Sequence, residues 1–324
     1  MAFELVIPFL RPIAHLITDP DVSEIMVNGA RSVFVERAGQ LTSVAGVQLD
    51  ERNLRVAVKN IARALGDDIS EEQPILDARL EDGSRVAAVF PPCSLGGTTL
   101  TIRKFQQRFF TVDELVRTGM MSPVVLEQIL AAVEHNHTIL ISGGTSTGKT
   151  TLLNAVSAFL PADDRLVVIE DTAELHLIQR NIVRLEARRE QRDVKAVTIR
   201  DLLRAALRHR PDRIIVGEVR GSEAYDLLEA LNTGHAGSLS TIHANSATQA
   251  LNRFASCVAQ SGVELPYDMI RGQISACVQL VIHLQRLDGR REVSHLLQLG
   301  PQVQNFNPSE NPTVRGVKST RAFT

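Results

Sequence analysis

Tryptophan is absent from this 324-residue chain, and tyrosine occurs only twice. The formal net charge is -2, so basic residues are not in excess. Proteins that bind nucleic acid non-specifically usually present a basic face, and those that bind single strands often add stacking aromatic side chains. The composition therefore gives no support to an obligate nucleic-acid partner.

Cysteines and long apolar runs are also scarce. The three cysteines, Cys93, Cys257 and Cys277, form no CxxC pair, so we expect small buried side chains in a reducing compartment. No apolar run approaches the ~18 residues that cross a bilayer, and "MAFELVIPFLRP" lacks the basic region and cleavage site of a signal peptide. These features predict a cytoplasmic protein whose association with a membrane is peripheral, through a partner.

The length predicts two domains. Residues 1–105 predict a small mixed α/β domain, because "SVFVER" alternates as a strand does and "DERNLRVAVKNIARALG" has helical spacing behind an Asp50 cap. "DARLEDGSRVAAVFPP" predicts a hairpin that turns at Asp82 and Gly83. Residues 106–121 predict a linker with a short helix capped by Thr111.

Residues 122–300 predict a second domain. Strands and helices alternate from "TILIS" to a helix that starts near Ser246, which is typical of a mainly parallel sheet covered by helices. Ligands bind at the carboxyl ends of the strands in that architecture. Asp288 and Gly289 predict a small antiparallel hairpin, and the polar tail at 301–324 predicts disorder.

The strongest motif is "ISGGTSTGKTT", which fits the phosphate-loop pattern G-x-x-x-x-G-K-[ST] between an apolar strand and a helix. Backbone amides of such a loop bind phosphate oxygens, Lys149 would reach the β and γ phosphates, and the Thr150 hydroxyl would ligate magnesium. The motif therefore predicts binding of ATP with Mg²⁺. The predicted phosphate-binding residues are Gly143, Gly144, Thr145, Ser146, Thr147, Gly148, Lys149, Thr150 and Thr151.

Carboxylates follow two predicted strands. Glu170 and Asp171 end "RLVVIE" with Glu174 one turn on, and Glu218 ends "RIIVGE". Hydrolysis needs acceptors near the phosphate loop that hold magnesium-bound water or orient the attacking water. Taken alone, "EDTAE" also fits a solvated loop. A strand ending in Gly217 and a glutamate, without the usual aspartate, leaves open where the acidic chemistry lies.

Basic residues near these acids have two interpretations each. Arg220 or Arg213 could form a structural ion pair with Glu218, or Arg220 could orient it for chemistry. His243 ends the strand "SLSTIH", where it could contact a γ-phosphate, and His235 lies among glycines just before that strand.

Four segments together resemble a known family. "GGTSTGKTT", "IEDTAEL", "RPDRIIVGEVRGSEAYDLLEALNTGH" and "GSLSTIHANS" resemble the Walker A motif, Asp box, atypical Walker B motif and His box of the type II/type IV secretion ATPases. "EIMVNG", "DARLEDGSRVAAVFPP" and "LTIRKF" resemble the N-terminal domain and linker of the CpaF/TadA branch, which serves Flp-type tight-adherence pili. The resemblance covers about residues 15–299.

The resemblance implies an α/β fold in which a PAS-like N-terminal domain precedes a RecA-like P-loop domain. It implies a homohexameric ring motor that works on a platform protein at the cytoplasmic side of the inner membrane, with ATP held between the two domains. The absent tetracysteine zinc module argues against the type II branch, and a compact N-terminus keeps a TrbB-type conjugation ATPase as the near alternative. A RecA-like nucleic-acid motor and a non-catalytic nucleotide-gated scaffold are the more distant alternatives.

The resemblance also implies roles for single residues. Glu218 corresponds to the catalytic carboxylate of the atypical Walker B motif, and Glu170 to an Asp-box acid that supports the metal or the water. Asp171 and Glu174 map to the same box, and His243 to the His-box histidine. Arginines that close the site from the N-terminal domain and linker correspond to Arg85 and Arg103. Apart from the resemblance, Arg220 follows Glu218 closely enough to orient it or to meet phosphate from a neighbouring subunit.

Overall fold

The computed structural model describes two compact units of the chain. The first comprises the described residues up to 105 together with Val194, and the second comprises the described residues at 110–190 and from 195 onward. None of the described helices combines the length and apolarity that a bilayer crossing requires. The predicted tail at 301–324 lies outside the described residues. The described ranges are 7–37, 39–80, 82–105, 110–190, 194–287 and 289–299.

The first unit is built on an antiparallel sheet with the strand order β3-β2-β1-β6-β5-β4. Helix α2 lies in the connection between the two halves of this sheet. The elements in chain order are α1 (Ala14–Thr18), β1 (Val22–Asn28), β2 (Val33–Arg37), β3 (Gln40–Ser43), α2 (Glu51–Ala64), β4 (Ile75–Arg79), β5 (Arg85–Val89) and β6 (Thr99–Arg103).

Local signals place the elements of the first unit. The Asp50 side chain accepts a hydrogen bond from the Asn53 amide at 2.8 Å and so caps α2, as predicted. Residues of α2 at helical spacing, including Leu54 and Ile61, are buried in the core of this unit. The predicted hairpin forms between β4 and β5, with Gly83 in the left-handed region at φ 88°.

The second unit contains a seven-stranded sheet with the order β13-β12-β7-β11-β10-β8-β9. Its strands pair in parallel except for β12 and β13, so the predicted mainly parallel sheet is confirmed. The elements are α3 (Val112–Arg117), α4 (Pro123–Glu134), β7 (Ile139–Gly143), α5 (Lys149–Ser157), β8 (Leu166–Glu170), β9 (Ile182–Glu186), α6 (Ile199–Ala206), β10 (Arg213–Val219), α7 (Glu223–Asn232), β11 (Leu239–His243), α8 (Ala247–Ala259), α9 (Tyr267–Cys277), β12 (Leu280–Leu287) and β13 (Arg290–Gln298).

Helices cover both faces of this sheet. Buried residues of α4 and α5 share one apolar core with β7, and buried residues of α6, α7, α8 and α9 form the core on the other face. Helix α3 falls in the segment predicted as a linker, and its residues Val112 and Leu115 contribute to the first of these cores. The arrangement leaves the carboxyl edge of the sheet for the loops that follow the parallel strands.

The final hairpin, which the sequence predicts as a small antiparallel addition, pairs directly with the strand that precedes the phosphate loop. Strands β12 and β13 pair antiparallel as expected, but β12 also pairs in parallel with β7, so the strand before the phosphate loop lies between β11 and β12. Helix α9 has no counterpart in the sequence prediction. Its N-cap, Pro266, forms no side-chain capping bond.

The cysteines only partly follow the expectation of buried side chains. Cys257 is a residue of α8 that is buried in the core, and Cys277 is half-buried. Cys93 is exposed, which contradicts the prediction for that residue, because it lies in the turn region between β5 and β6 rather than on an element that faces a core.

Candidate functional site

Four parallel strands end side by side at the carboxyl edge of the large sheet. In sheet order these are β7, β11, β10 and β8. Their ends carry Gly143, His243, Glu218 and Glu170, and His243 is in register with Gly143 on the neighbouring strand. The topology therefore gathers the predicted phosphate loop, histidine and acids at one edge.

The phosphate loop joins β7 to α5 with a backbone that depends on glycine. Gly148 caps α5 at φ 96°, in the left-handed region, and a Cβ there would lie 2.9 Å from the Met120 Cε atom. A Cβ on Gly143 would lie 2.6 Å from the Leu284 carbonyl oxygen and 2.6 Å from Thr147 Oγ1. Strand β12 thus packs directly against the start of the loop.

Replacing Gly143 by alanine is expected to destabilise the protein. The added methyl group cannot avoid the Leu284 carbonyl without a backbone shift, so the free energy of unfolding should fall by about 1–3 kcal/mol. Gly144→Ala is the matched control, because its new Cβ would meet only Thr147 Cγ2 at 3.8 Å. Urea unfolding of both variants checks this, and equal stabilities would contradict the described packing.

Lys149 lies inside the loop. The residue is 8% exposed, and its ammonium donates hydrogen bonds to the carbonyls of Gly143 at 3.1 Å and Gly144 at 2.9 Å. The same ammonium is 3.4 Å from both ring nitrogens of His243. Burial lowers the pKa of Lys149, while the nearby Glu218 carboxylate opposes that shift. The loop therefore already holds its cation where phosphate oxygens would enter.

Glu218 is the centre of a chain of polar contacts. Its Oε2 atom accepts a hydrogen bond from Arg220 Nη2 at 2.8 Å, and Arg220 Nη1 donates to Asp171 Oδ2 at 2.6 Å. Its Oε1 atom lies 2.8 Å from His243 Nε2, a contact that is an ion pair only when the imidazole is protonated. This buried oxygen accepts no hydrogen bond from the residues that the structure describes.

His243 is surrounded mainly by cations. Burial lowers the pKa of His243, and the charges of Lys149, Arg220 and Arg253 lower it further, whereas Glu218 raises it. The net downward shift favours the neutral imidazole at neutral pH. A neutral ring can accept a hydrogen bond at one nitrogen while donating one at the other.

Glu170 is more buried than the sequence indicates. It is 4% exposed, and its Oε1 atom accepts hydrogen bonds from the backbone amides of Glu174 at 2.8 Å and Leu175 at 2.9 Å. Gly217 on the adjacent strand allows this burial, since a Cβ there would lie 3.1 Å from the Glu170 Cγ atom. In the described structure this carboxyl group holds the loop after β8 in place.

Burial raises the pKa of Glu170 to about 7, although the two backbone amides act in the opposite direction. The folded protein therefore keeps a proton that the unfolded chain loses near its ordinary pKa of 4.5. Stability should fall as pH rises from about 4.5 to 7, by up to about 3 kcal/mol. Glu170→Gln should remove this slope, whereas Glu127→Gln, at an exposed position on α4, should retain it.

Urea unfolding at pH 5 and pH 7.5, without nucleotide or magnesium, measures this effect. A Glu170→Gln protein with the same difference in stability between the two pH values as the parent would show that Glu170 does not titrate in this way.

Several predicted residues lie away from the Glu218 contacts. His235 Nδ1 contacts the Ala230 carbonyl at 2.9 Å, beyond the C-terminus of α7 and before β11, which is the opposite edge of the sheet. Arg85 and Arg103 lie in the first unit, directly opposite each other on β5 and β6. Their predicted part in the site stays a prediction.

The sequence reasoning missed one group of residues beside the loop. A cavity of about 470 Å³ adjoins Gly144 and Thr145, and its lining includes Asn245, Gln249 and Arg253. Gln249 and Arg253 are four residues apart on α8, and this spacing could have indicated that they share a face of the helix.

The residues present fit a bound magnesium nucleotide. Gly143 and Gly148 keep side chains out of the loop, and Lys149 supplies a buried cation. The described residues form no cluster of three or more His, Cys, Asp or Glu side chains that would hold a metal alone. Magnesium usually takes one or two protein oxygens plus phosphate oxygens, so this donor set suits it when phosphate is present.

A phosphate loop at the carboxyl edge of a parallel sheet, with acids on neighbouring strand ends, defines the class of P-loop proteins. The chain belongs to the family described as "Type II/IV secretion system protein", whose profile matches residues 10–316.

Relatives support this assignment. A "Probable conjugal transfer protein TrbB" of Sinorhizobium fredii (strain NBRC 101917 / NGR234) is 36% identical and spans 87% of this chain and 84% of its own length. A "Type IV secretion system protein VirB11" of Brucella suis biovar 1 is 34% identical and spans 85% of this chain and 84% of its own. The X-ray structure of the Legionella pneumophila ATPase DotB shares the fold, with a TM-score of 0.64 and 21% identity over 91% of this chain and 81% of that structure.

The membership predicted from the motifs is thus confirmed, and the structural neighbours are ATPases, as expected. The predicted α/β fold is confirmed as well, and the described residues form two sheets. The relatives named above point to conjugal transfer and type IV secretion, and none of them names the CpaF/TadA branch.

Proposed function

We propose that this chain hydrolyses MgATP and that Glu218 activates the attacking water. The observation that carries the proposal is the Glu218 carboxylate, which Arg220 holds by one oxygen. The other oxygen is buried without a hydrogen-bond partner among the described residues, next to a histidine that contacts the phosphate-loop lysine. A general base needs an acceptor atom that no other donor occupies, within hydrogen-bond reach of its water.

In the proposed reaction the water oxygen forms a bond to the γ-phosphorus, and the bond from that phosphorus to the oxygen bridging to the β-phosphate breaks. Glu218 accepts a proton from the water, and ADP leaves with the bridging oxygen and its electron pair. Lys149 stabilises the negative charge on the β and γ phosphates. His243 would contact the γ-phosphate, and Arg220 would keep the base in position.

Bound magnesium would neutralise phosphate charge and order water, held by the Thr150 hydroxyl with Glu170, Asp171 or Glu218 acting through water. Glu170 would lose its proton when magnesium binds, because a nearby divalent cation lowers the pKa of a carboxyl group. The ionised carboxylate could then support the metal. The remaining loop residues would bind phosphate oxygens through their backbone amides and hydroxyls. These are Gly143, Gly144, Thr145, Ser146, Thr147, Gly148 and Thr151.

We further propose that the hydrolysis drives a homohexameric ring, with a RecA-like second unit and a PAS-like first unit, on the cytoplasmic side of the inner membrane. Its partner would be a platform protein of a secretion, conjugation or pilus machine. The antiparallel sheet with α2 in the connection between its halves supports the PAS-like assignment. Arg85 and Arg103 lie opposite each other on the adjacent strands β5 and β6 and would supply the arginines that close the site.

A separate question is which machine the proposed motor serves. The identity to conjugal-transfer and VirB11 relatives favours a conjugation or type IV secretion apparatus, whereas the N-terminal motifs favour the Flp pilus. Neighbouring genes for prepilins and platform proteins would indicate a pilus, and mating-pair genes would indicate conjugation.

Release of inorganic phosphate from MgATP by the full chain, with and without single-stranded DNA, tests the proposed activity. Hydrolysis that is indifferent to DNA supports it. Strong stimulation by DNA would instead indicate a nucleic-acid motor. Nucleotide binding without hydrolysis, even in the oligomer supplied with its membrane partner, would indicate a scaffold.

A further inference from the structure

The cavity beside the phosphate loop adjoins the loop's first residues, Gly144 and Thr145, and also His243. Its far wall is formed by Asn245 and by α8, through Gln249 and Arg253. At about 470 Å³ the cavity is large enough for a small anion together with several waters. It therefore adjoins both the phosphate loop and the histidine at the end of β11.

The chemistry of the lining is that of a site for an oxyanion. It offers the Arg253 guanidinium, the Asn245 and Gln249 amides and the Thr145 hydroxyl, and none of the described residues that line it carries a carboxylate. Helix α8 begins at Ala247, so its N-terminal partial positive charge is added to this wall.

Arg253 is available for a ligand. Its side chain is exposed, and the hydrogen bond that it donates to a described residue is long, from Nη2 to the Arg220 carbonyl at 3.4 Å. Its charge acts on His243, whose pKa it lowers together with Lys149 and Arg220. Three cations thus act on one histidine that lines the cavity.

We propose that this cavity binds the inorganic phosphate released by hydrolysis, and that Arg253 is its cationic contact. The inference rests on the proposed function, because that reaction supplies the phosphate. After phosphate and ADP separate, the phosphate binds to Arg253 in the cavity and then leaves the site through it. Gln249, one turn earlier on the same face of α8, supplies a second donor.

Titration of inorganic phosphate into the full chain saturated with MgADP tests this proposal, since ADP already occupies the β-phosphate position of the loop. Arg253→Ala should weaken phosphate binding about tenfold or more, as expected for the loss of a charged hydrogen bond, while MgADP affinity stays within about twofold. Arg253→Lys should recover part of the affinity. Arg271→Ala, which removes the same charge from an exposed position on α9, should bind phosphate as the parent does.

Equal phosphate affinity in the parent and Arg253→Ala would overturn the inference, and so would a parent protein whose MgADP complex binds no phosphate. If the parent fails to bind MgADP, the proposed function fails separately. The same titration without nucleotide then decides the inference, since an unchanged affinity in Arg253→Ala would still refute it. Thermal unfolding of each variant shows that it is folded.

Discussion

Lys149→Ala should abolish ATP turnover, with kcat/KM falling by about a hundredfold to a thousandfold or more. The ammonium is the buried cation of the phosphate loop, and its two hydrogen bonds go to loop carbonyls that a bound phosphate can replace as acceptors. Once the nitrogen contacts the β and γ phosphates, it stabilises charge that grows as the terminal phosphate leaves. Alanine leaves that charge without a partner.

Phosphate release from MgATP measures this loss, and fluorescence binding of a labelled ATP analogue separates weaker binding from slower chemistry. Lys195→Ala is the matched control, because it removes an exposed lysine of the same unit and should change turnover by less than about twofold. A folded Lys149→Ala protein with turnover within tenfold of the parent would contradict the proposed nucleotide site.

Glu218→Gln should keep nucleotide binding within a few-fold of the parent and lower kcat by about a hundredfold to ten-thousandfold. The amide has nearly the same volume, so packing at the end of β10 is retained. Arg220 retains its hydrogen bond to Asp171, so the arginine side chain stays in place when the Glu218 carboxylate is replaced by an amide. What is lost is the basic oxygen that faces His243.

Single-turnover hydrolysis of MgATP, with analogue binding measured in parallel, distinguishes the two steps. Glu134→Gln, on the exposed side of α4, is the control and should behave as the parent does. Normal turnover in Glu218→Gln would exclude Glu218 as the base, and loss of analogue binding would instead assign it a structural part in holding the site together.

Local sequence signals predict helix starts well because a cap involves residues only three positions apart. Asp50 caps α2, and the Thr111 and Glu114 side chains form a capping box at α3. Helix α9 follows a proline with no side-chain cap, and the prediction missed it. The pairing of β12 with β7 joins residues 141 positions apart, such as Ile139 and Leu280, which no local pattern specifies.

In the candidate site, too, local sequence predicts some features and tertiary contacts determine the others. Motif spacing predicts the positions of Lys149 and Thr150, but the partner of Glu218 depends on which end of β10 each arginine occupies. Arg213 lies at the start of that strand and pairs with Asp164 at 2.6 Å, which leaves Arg220 for Glu218. The burial of Glu170 could not be predicted either, because it depends on a glycine in the neighbouring strand.

The position of β7 between β11 and β12 has a consequence for the order of folding. Both neighbours are formed from residues that lie about a hundred positions or more after β7, so synthesis must run through Leu287 before the phosphate loop is enclosed. Such long-range pairing slows folding and leaves strand edges open meanwhile. A nascent or truncated chain that ends before β12 would expose one side of β7, so a competent nucleotide site is among the last parts of this unit to form.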